Sequence, residues 1–168
     1  MSSAARLDQT SPEDARLLLE RCCGASSWVA AMLSRRPFLS DAALFALADE
    51  LWLAATPADV QEALEHHPRI GTDLDELRRR FASTSSWAAG EQAGAAIADE
   101  ATLLRLRDGN VAYEARFGHI FVVCATGKTA LELLTILESR LHNAPDDELK
   151  IAASEQSQIT RLRLEKLA

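Results

Sequence analysis

Aromatic residues make up only 5% of this 168-residue chain, and it holds just 7 glycines and 5 prolines. So few rings leave little surface for stacking nucleic-acid bases. So few turn formers argue against a sandwich or barrel built from many short strands. Cations are also scarce: 18 Lys and Arg face 25 acids, a formal charge of −7 at pH 7. Gripping a phosphate backbone needs clustered cations, and the one basic run, Arg78-Arg79-Arg80, is short, so no nucleic-acid partner is expected. Of three cysteines, Cys22 and Cys23 are adjacent and Cys124 is remote. That pattern offers neither a disulfide set nor a CxxC spacing, and a reducing, cytoplasmic compartment is expected. No apolar run nears the ~20 residues that cross a bilayer, and Met1 to Thr10 lacks a signal-peptide core. The last residues, Lys166-Leu167-Ala168, are not the Ser-Lys-Leu peroxisomal address. No membrane partner is expected.

What is present is helix-forming. Apolar residues reach 48%, and Ala, Leu, Glu and Arg dominate, which predicts an all-α single-domain bundle of seven to nine helices. Residues 1–10 are expected as a flexible tail. Ser11-Pro12-Glu13-Asp14 opens a helix that runs to about Cys22: a hydroxyl cap, proline at the first helical position, then acids facing the positive dipole end. Ser40-Asp41 begins a strongly apolar helix expected to be buried on most sides. Thr56-Pro57 begins a helix finishing near His67, because proline at 68 disfavours helical backbone for the residue before it. Thr72-Asp73 starts a helix reaching Phe81. Ser83 to Ser86 is expected as a loop, and Trp87 to about Arg107 as helix. Asn110 is expected to cap a turn carrying Tyr113 and Phe117, closed by Gly118 in the left-handed position. Ile120 to Ala125 is the one strand-like run, expected as a short buried extended segment. Two further helices follow, from Gly127-Lys128-Thr129 to about Asn143 and from Pro145 to Leu167.

Several constellations invite a chemical reading. Gly127-Lys128-Thr129 after an apolar run suggests a phosphate-binding loop, but the glycine required five positions earlier is replaced by Val122. The four histidines lack HExxH or CxxC partners, and Glu62 with His66 at i, i+4 reads as a helix-face contact. No metal or cofactor is expected. His67 at a helix end suits two roles, a cap for free carbonyls or an outward-facing acid–base group on a rigid element. Glu91-Gln92 stands within small residues, Ala88-Ala89-Gly90 before and Ala93-Gly94 after, as on a tight packing face or a pocket floor. A carboxylate reaching His67 would fix its tautomer and raise its basicity. Arg161 and Arg163, set among leucines near the C-terminus, are snorkelling cations by default, or two-point ligands for a planar carboxylate or ureido group.

Taken together, four fragments resemble the 2-oxo-4-hydroxy-4-carboxy-5-ureidoimidazoline (OHCU) decarboxylases of urate degradation, in order and at about the family's spacing. They are His67-Pro68 with Gly71, Glu91-Gln92-Ala93-Gly94, Asn110-x-x-Tyr113 with Phe117-Gly118-x-x-Phe121-Val122-Val123, and Arg163-Leu164. The resemblance covers about Ser11 to Leu167. It implies an all-helical, cofactor-free lyase, usually a homodimer, converting a small-molecule substrate to (S)-allantoin and carbon dioxide. It also implies His67 and Glu91 as catalytic residues. The substrate contacts it implies are Pro68, Ala88, Gln92, the backbone of Phe121, Val122 and Val123, and Arg163, with Arg161 the fallback. The family often carries serine where this chain has Ala88, so a hydroxyl contact is lost there. The competing class is a non-enzymatic helical interaction module, in which His67 only caps and the leucine-rich last helix docks a partner.

Overall fold

The computed structural model describes residues 1–88 and 99–168, apart from the side chains of Ile70 and residues 82–88. Among these are nine α-helices: α1 (Ser3–Gln9), α2 (Pro12–Cys22), α3 (Ser26–Ser34), α4 (Asp41–Leu53), α5 (Pro57–Glu65), α6 (Leu74–Ala88), α7 (Glu100–Phe117), α8 (Ala130–Arg140) and α9 (Pro145–Glu165). A 3₁₀ turn spans Ile70–Thr72. No strand occurs among the described residues, and no helix among them is long and apolar enough to cross a membrane. The fold is all-α, as composition predicts.

The helix starts follow local chemistry. Ser11 and Thr56 accept from the backbone N–H three residues on, each with proline at the first helical turn, and Thr56 with Asp59 closes a reciprocal capping box. Thr129 does the same with Glu132 at the start of α8, so the Gly-Lys-Thr run is a helix cap. Gly118 ends α7 at φ 75°, its N–H bonded to the Glu114 carbonyl, a conformation glycine adopts without steric cost.

Four expectations are corrected. In place of a flexible tail, residues 3–9 form α1, with Leu7 fully buried. Asp41 accepts from the Ala4 N–H at 2.7 Å, and Arg36 donates to the carbonyls of Leu7, Asp8 and Thr10 at the helix end. Helix α4 is buried along one face only, through Leu44, Ala48 and Trp52, while Leu53 is exposed. Ser83 to Ser86 continues α6 rather than forming a loop. Asn110 lies inside α7, where its Nδ2 donates to the Leu106 carbonyl at 2.8 Å instead of capping a turn.

The described residues divide into two compact units, residues 1–67 with 149–168, and residues 68–148. In the first, α2 packs on α3, and α3 on α4 and α5. Its buried residues include Leu19, Met32, Leu44, Leu64 and Leu164, and Trp52 Nε1 donates to the Ala153 carbonyl of α9 at 2.8 Å. In the second, α7 packs on α6, on α8 and on the 3₁₀ turn, around Leu77, Leu103, Leu106, Tyr113, Leu133, Leu134 and Leu137.

Candidate active site

His67 follows directly from how α5 stops. The helix ends at Glu65 with His66 as its cap, and the His67 N–H closes a last turn on the Leu64 carbonyl at 3.2 Å. Pro68 then blocks further helix. Gly24 is required beside this turn, since a Cβ there would stand 2.3 Å from Cγ of His66. The His67 ring is half-buried, and its Nε2 lies 2.5 Å from Oε1 of Gln156 on α9. Gln156 in turn donates from its amide nitrogen to Thr160 Oγ1 at 3.0 Å, and Thr160 donates to the Cys22 carbonyl at 3.3 Å. Burial holds the imidazole below the ordinary histidine range, against the bond to Gln156 and with help from the charges of Arg163 and His66. At neutral pH the ring is therefore uncharged, the form in which a histidine takes up a proton.

The two arginines of α9 separate cleanly. Arg161 lies over the Phe45 ring at 3.9 Å and pairs with Glu165 at 2.8 Å and Asp49 at 3.7 Å, so its charge is already engaged. Half-buried Arg163 donates through Nη1 to the carbonyls of Arg21 at 3.0 Å and Cys22 at 3.5 Å. Those carbonyls belong to the last turn of α2, where a cation meets unsatisfied acceptors and the negative dipole end. Among the described residues its Nη2 and Nε have no hydrogen-bond acceptor.

In the second unit, Pro68 and Phe121 line one shallow groove with Arg69, Gly71, Asn110 and Glu114. A Cβ on Gly71 would stand 2.4 Å from Oδ1 of Asn110, so two of the quoted sequence fragments meet here. The segment 120–125 is neither helix nor paired strand among the described residues, and from Phe121 to Ala125 its burial alternates, the period of two of an extended chain. Its carbonyls find side-chain donors instead: Arg140 to Val122 at 2.9 Å and Lys128 Nζ to Cys124 at 2.8 Å. Arg140 is itself fixed by fully buried Glu148 through Nε at 2.7 Å, and Tyr113 donates its hydroxyl to the same carboxylate. Burial and the neighbouring Glu148 push the Tyr113 hydroxyl well up, so it stays protonated.

Glu91 and Gln92 lie outside the described residues, as does the side chain of Ala88, which ends α6. The expected Glu62–His66 side-chain pairing is not formed. Glu62 instead accepts from Ser26 at the start of α3, and His66 Nδ1 meets the Glu62 backbone carbonyl at 2.9 Å. Among the described residues no group of His, Cys, Asp and Glu could hold a metal ion. Gln156 and Thr160 escaped the sequence reading, although there is a signal for them. They occupy the buried stripe Ala152, Gln156, Thr160, Leu164 of α9, and an amide at an apolar phase of a helix needs a partner.

Comparison with known proteins places these features in a family context. The sequence pattern of the OHCU decarboxylases matches residues 8–165. Over 148 residues the chain is 38% identical to the uric acid degradation bifunctional protein TTL of Arabidopsis thaliana, covering 87% of this chain and 45% of that protein. The chain thus spans less than half of that relative. Over 150 residues it is 33% identical to the 2-oxo-4-hydroxy-4-carboxy-5-ureidoimidazoline decarboxylase of Amia calva, covering 88% and 82%. The crystal structure of an OHCU decarboxylase in the presence of (S)-allantoin superimposes with a TM-score of 0.69 at 33% identity, over 94% of this chain and 98% of that one.

Proposed function

The chain belongs to the OHCU decarboxylase family, and on that premise we propose that it removes carbon dioxide from 2-oxo-4-hydroxy-4-carboxy-5-ureidoimidazoline to release (S)-allantoin in urate degradation. The observation that carries this reading is a half-buried imidazole kept uncharged, with a guanidinium in the same helical unit whose Nη2 and Nε have no acceptor among the described residues. As the carbon–carboxylate bond breaks, its electron pair becomes a double bond to the ureido-bearing carbon, and the pair of the neighbouring carbon–nitrogen double bond goes to its nitrogen, which takes one proton from solvent. The hydroxyl-bearing carbon then becomes a carbonyl by losing its proton, and the ureido-bearing carbon gains one. What the protein must contribute is orientation, a proton route and one open face for protonation. His67 takes the hydroxyl proton and governs delivery to carbon. Glu91 is its acidic partner in that step. Arg163 holds the anionic or ureido edge, a contact that fixes position and is equal before and during bond breaking, so it acts on KM. Pro68, Ala88, Gln92 and the peptide groups of Phe121 to Val123 complete the substrate contacts, and the working form is a cytoplasmic homodimer.

The decisive experiment mixes the protein with freshly generated substrate and follows optical activity alongside carbon dioxide release. Wild-type protein should produce one allantoin enantiomer. His67→Ala should lose that activity while keeping its helical circular dichroism spectrum. A His67→Ala protein that still makes one enantiomer near the wild-type rate removes His67 from the reaction.

A further inference from the structure

We infer that Gln156 and Thr160 form a hydrogen-bond relay of fixed direction that holds His67 as its Nε2–H tautomer, leaving Nδ1 as the atom that takes and returns the substrate's proton. The inference rests on the reading of His67 as the acid–base group.

Direction follows from what each atom can do. A backbone carbonyl only accepts, and the Cys22 carbonyl receives Thr160 Oγ1 at 3.3 Å and Arg163 Nη1 at 3.5 Å. Thr160 has one hydroxyl proton. The buried Cys23 thiol also meets this hydroxyl, but sulfur is the weaker acceptor, so the proton goes to the carbonyl. The Thr160 oxygen then offers only lone pairs to Gln156, 3.0 Å away, and must receive the amide nitrogen. That turns Gln156 Oε1 toward His67, at 2.5 Å. An amide oxygen cannot donate, so the proton of this bond belongs to His67 Nε2. Gln156 is fully buried and Thr160 only 6% exposed, so water does not replace a lost partner. His67 Nδ1 has no partner among the described residues. Among the described residues, the charged and titratable groups whose fields reach the ring are Arg163 on α9 and His66 at the end of α5, both of which oppose a second proton. The tautomer-setting part that sequence reasoning gives to a carboxylate thereby falls to an amide. Gln156 and Thr160 are positioning residues: they act through His67 rather than on substrate.

An amide relay sets the tautomer without stabilising the charged ring as a carboxylate would, and this separates it from a merely structural contact. In histidine-labelled wild-type protein, nitrogen–proton correlation spectra taken above the His67 titration should show the Nε2–H pattern. Thr160→Val keeps the side-chain volume but removes the proton that orients Gln156. It should lower kcat at least about tenfold with KM within twofold, and Thr160→Ser should restore it. Gln156→Glu should move the acid limb of the kcat profile to higher pH, because the new carboxylate favours imidazolium. An Nδ1–H pattern in the wild type, or a charged ring at neutrality, overturns the relay, as does a folded Thr160→Val enzyme with wild-type kcat. If the substituted proteins fail to fold, the wild-type spectrum still decides. Failure of the underlying reading looks different: His67→Ala would stay active while the Nε2–H pattern is present.

Discussion

Gly71→Ala tests the packing on which the second unit's groove depends. The added methyl carbon would stand 2.4 Å from Oδ1, 2.5 Å from Cγ and 2.7 Å from Nδ2 of Asn110, all far inside van der Waals contact. Asn110 is only 8% exposed, and its Nδ2 is bonded to the Leu106 carbonyl at 2.8 Å. It must swing aside and give up that bond, or the 3₁₀ turn must move. Overpacking of this kind costs about 1–3 kcal/mol, and the lost hydrogen bond about 0.5–1.5 kcal/mol more. For a chain of this size the sum corresponds to a fall in Tm of about 5–15 °C, read by far-ultraviolet circular dichroism on heating. Asn110→Ala removes the obstructing atoms, so the double substitution should melt close to Asn110→Ala alone. That gives a coupling of about 1–3 kcal/mol between the two positions. A Gly71→Ala protein that melts with the wild type, or losses that simply add in the double variant, would refute the argument.

Three further outcomes are expected. The His67 pKa is depressed below 6.5 in the folded protein, so the unfolded chain binds the extra proton first. The stability contributed by the neutral ring is therefore complete above pH ~6.5 and is lost as pH falls through the lower folded value; His67→Asn should flatten Tm against pH in that window. Arg140→Met leaves buried Glu148 without its cation and should cost about 3–5 kcal/mol in urea unfolding, since the pair is only 5% and 0% exposed. Arg163→Ala should chiefly raise KM in steady-state kinetics, whereas Arg161→Ala, whose charge is taken up by Phe45, Asp49 and Glu165, should leave KM within about twofold.

The parts of the fold legible in the sequence are those decided locally. Ser11-Pro12, Ser40-Asp41 and Thr56-Pro57 each open a helix where the capping chemistry says, and Gly118 closes α7 as expected. Helix α1 was not legible because Ala4 and Leu7 alone do not make a readable stripe; it is held by Asp41, 37 positions from Ala4, and by Arg36, 26 to 29 positions from the carbonyls it binds. Ser83 to Ser86 misled because low helix propensity amounts to only a few tenths of a kcal/mol per residue, about what ordinary tertiary context overrides. Asn110 misled in the opposite sense: its side chain finds an acceptor four residues back within the helix, so it does not cap. In the candidate site, Pro68 makes His67 readable because proline ends helices by geometry. Gln156 and Arg140 acquire meaning only through partners 89 and 18 positions away.

The final turn of α2 touches nothing reactive directly, yet its Cys22 carbonyl receives Thr160, and its Arg21 and Cys22 carbonyls receive Arg163. Anyone transplanting this chemistry into another helical scaffold must therefore carry that turn with α9. Copying histidine, glutamine and arginine without it would deliver the right side chains with nothing to aim them.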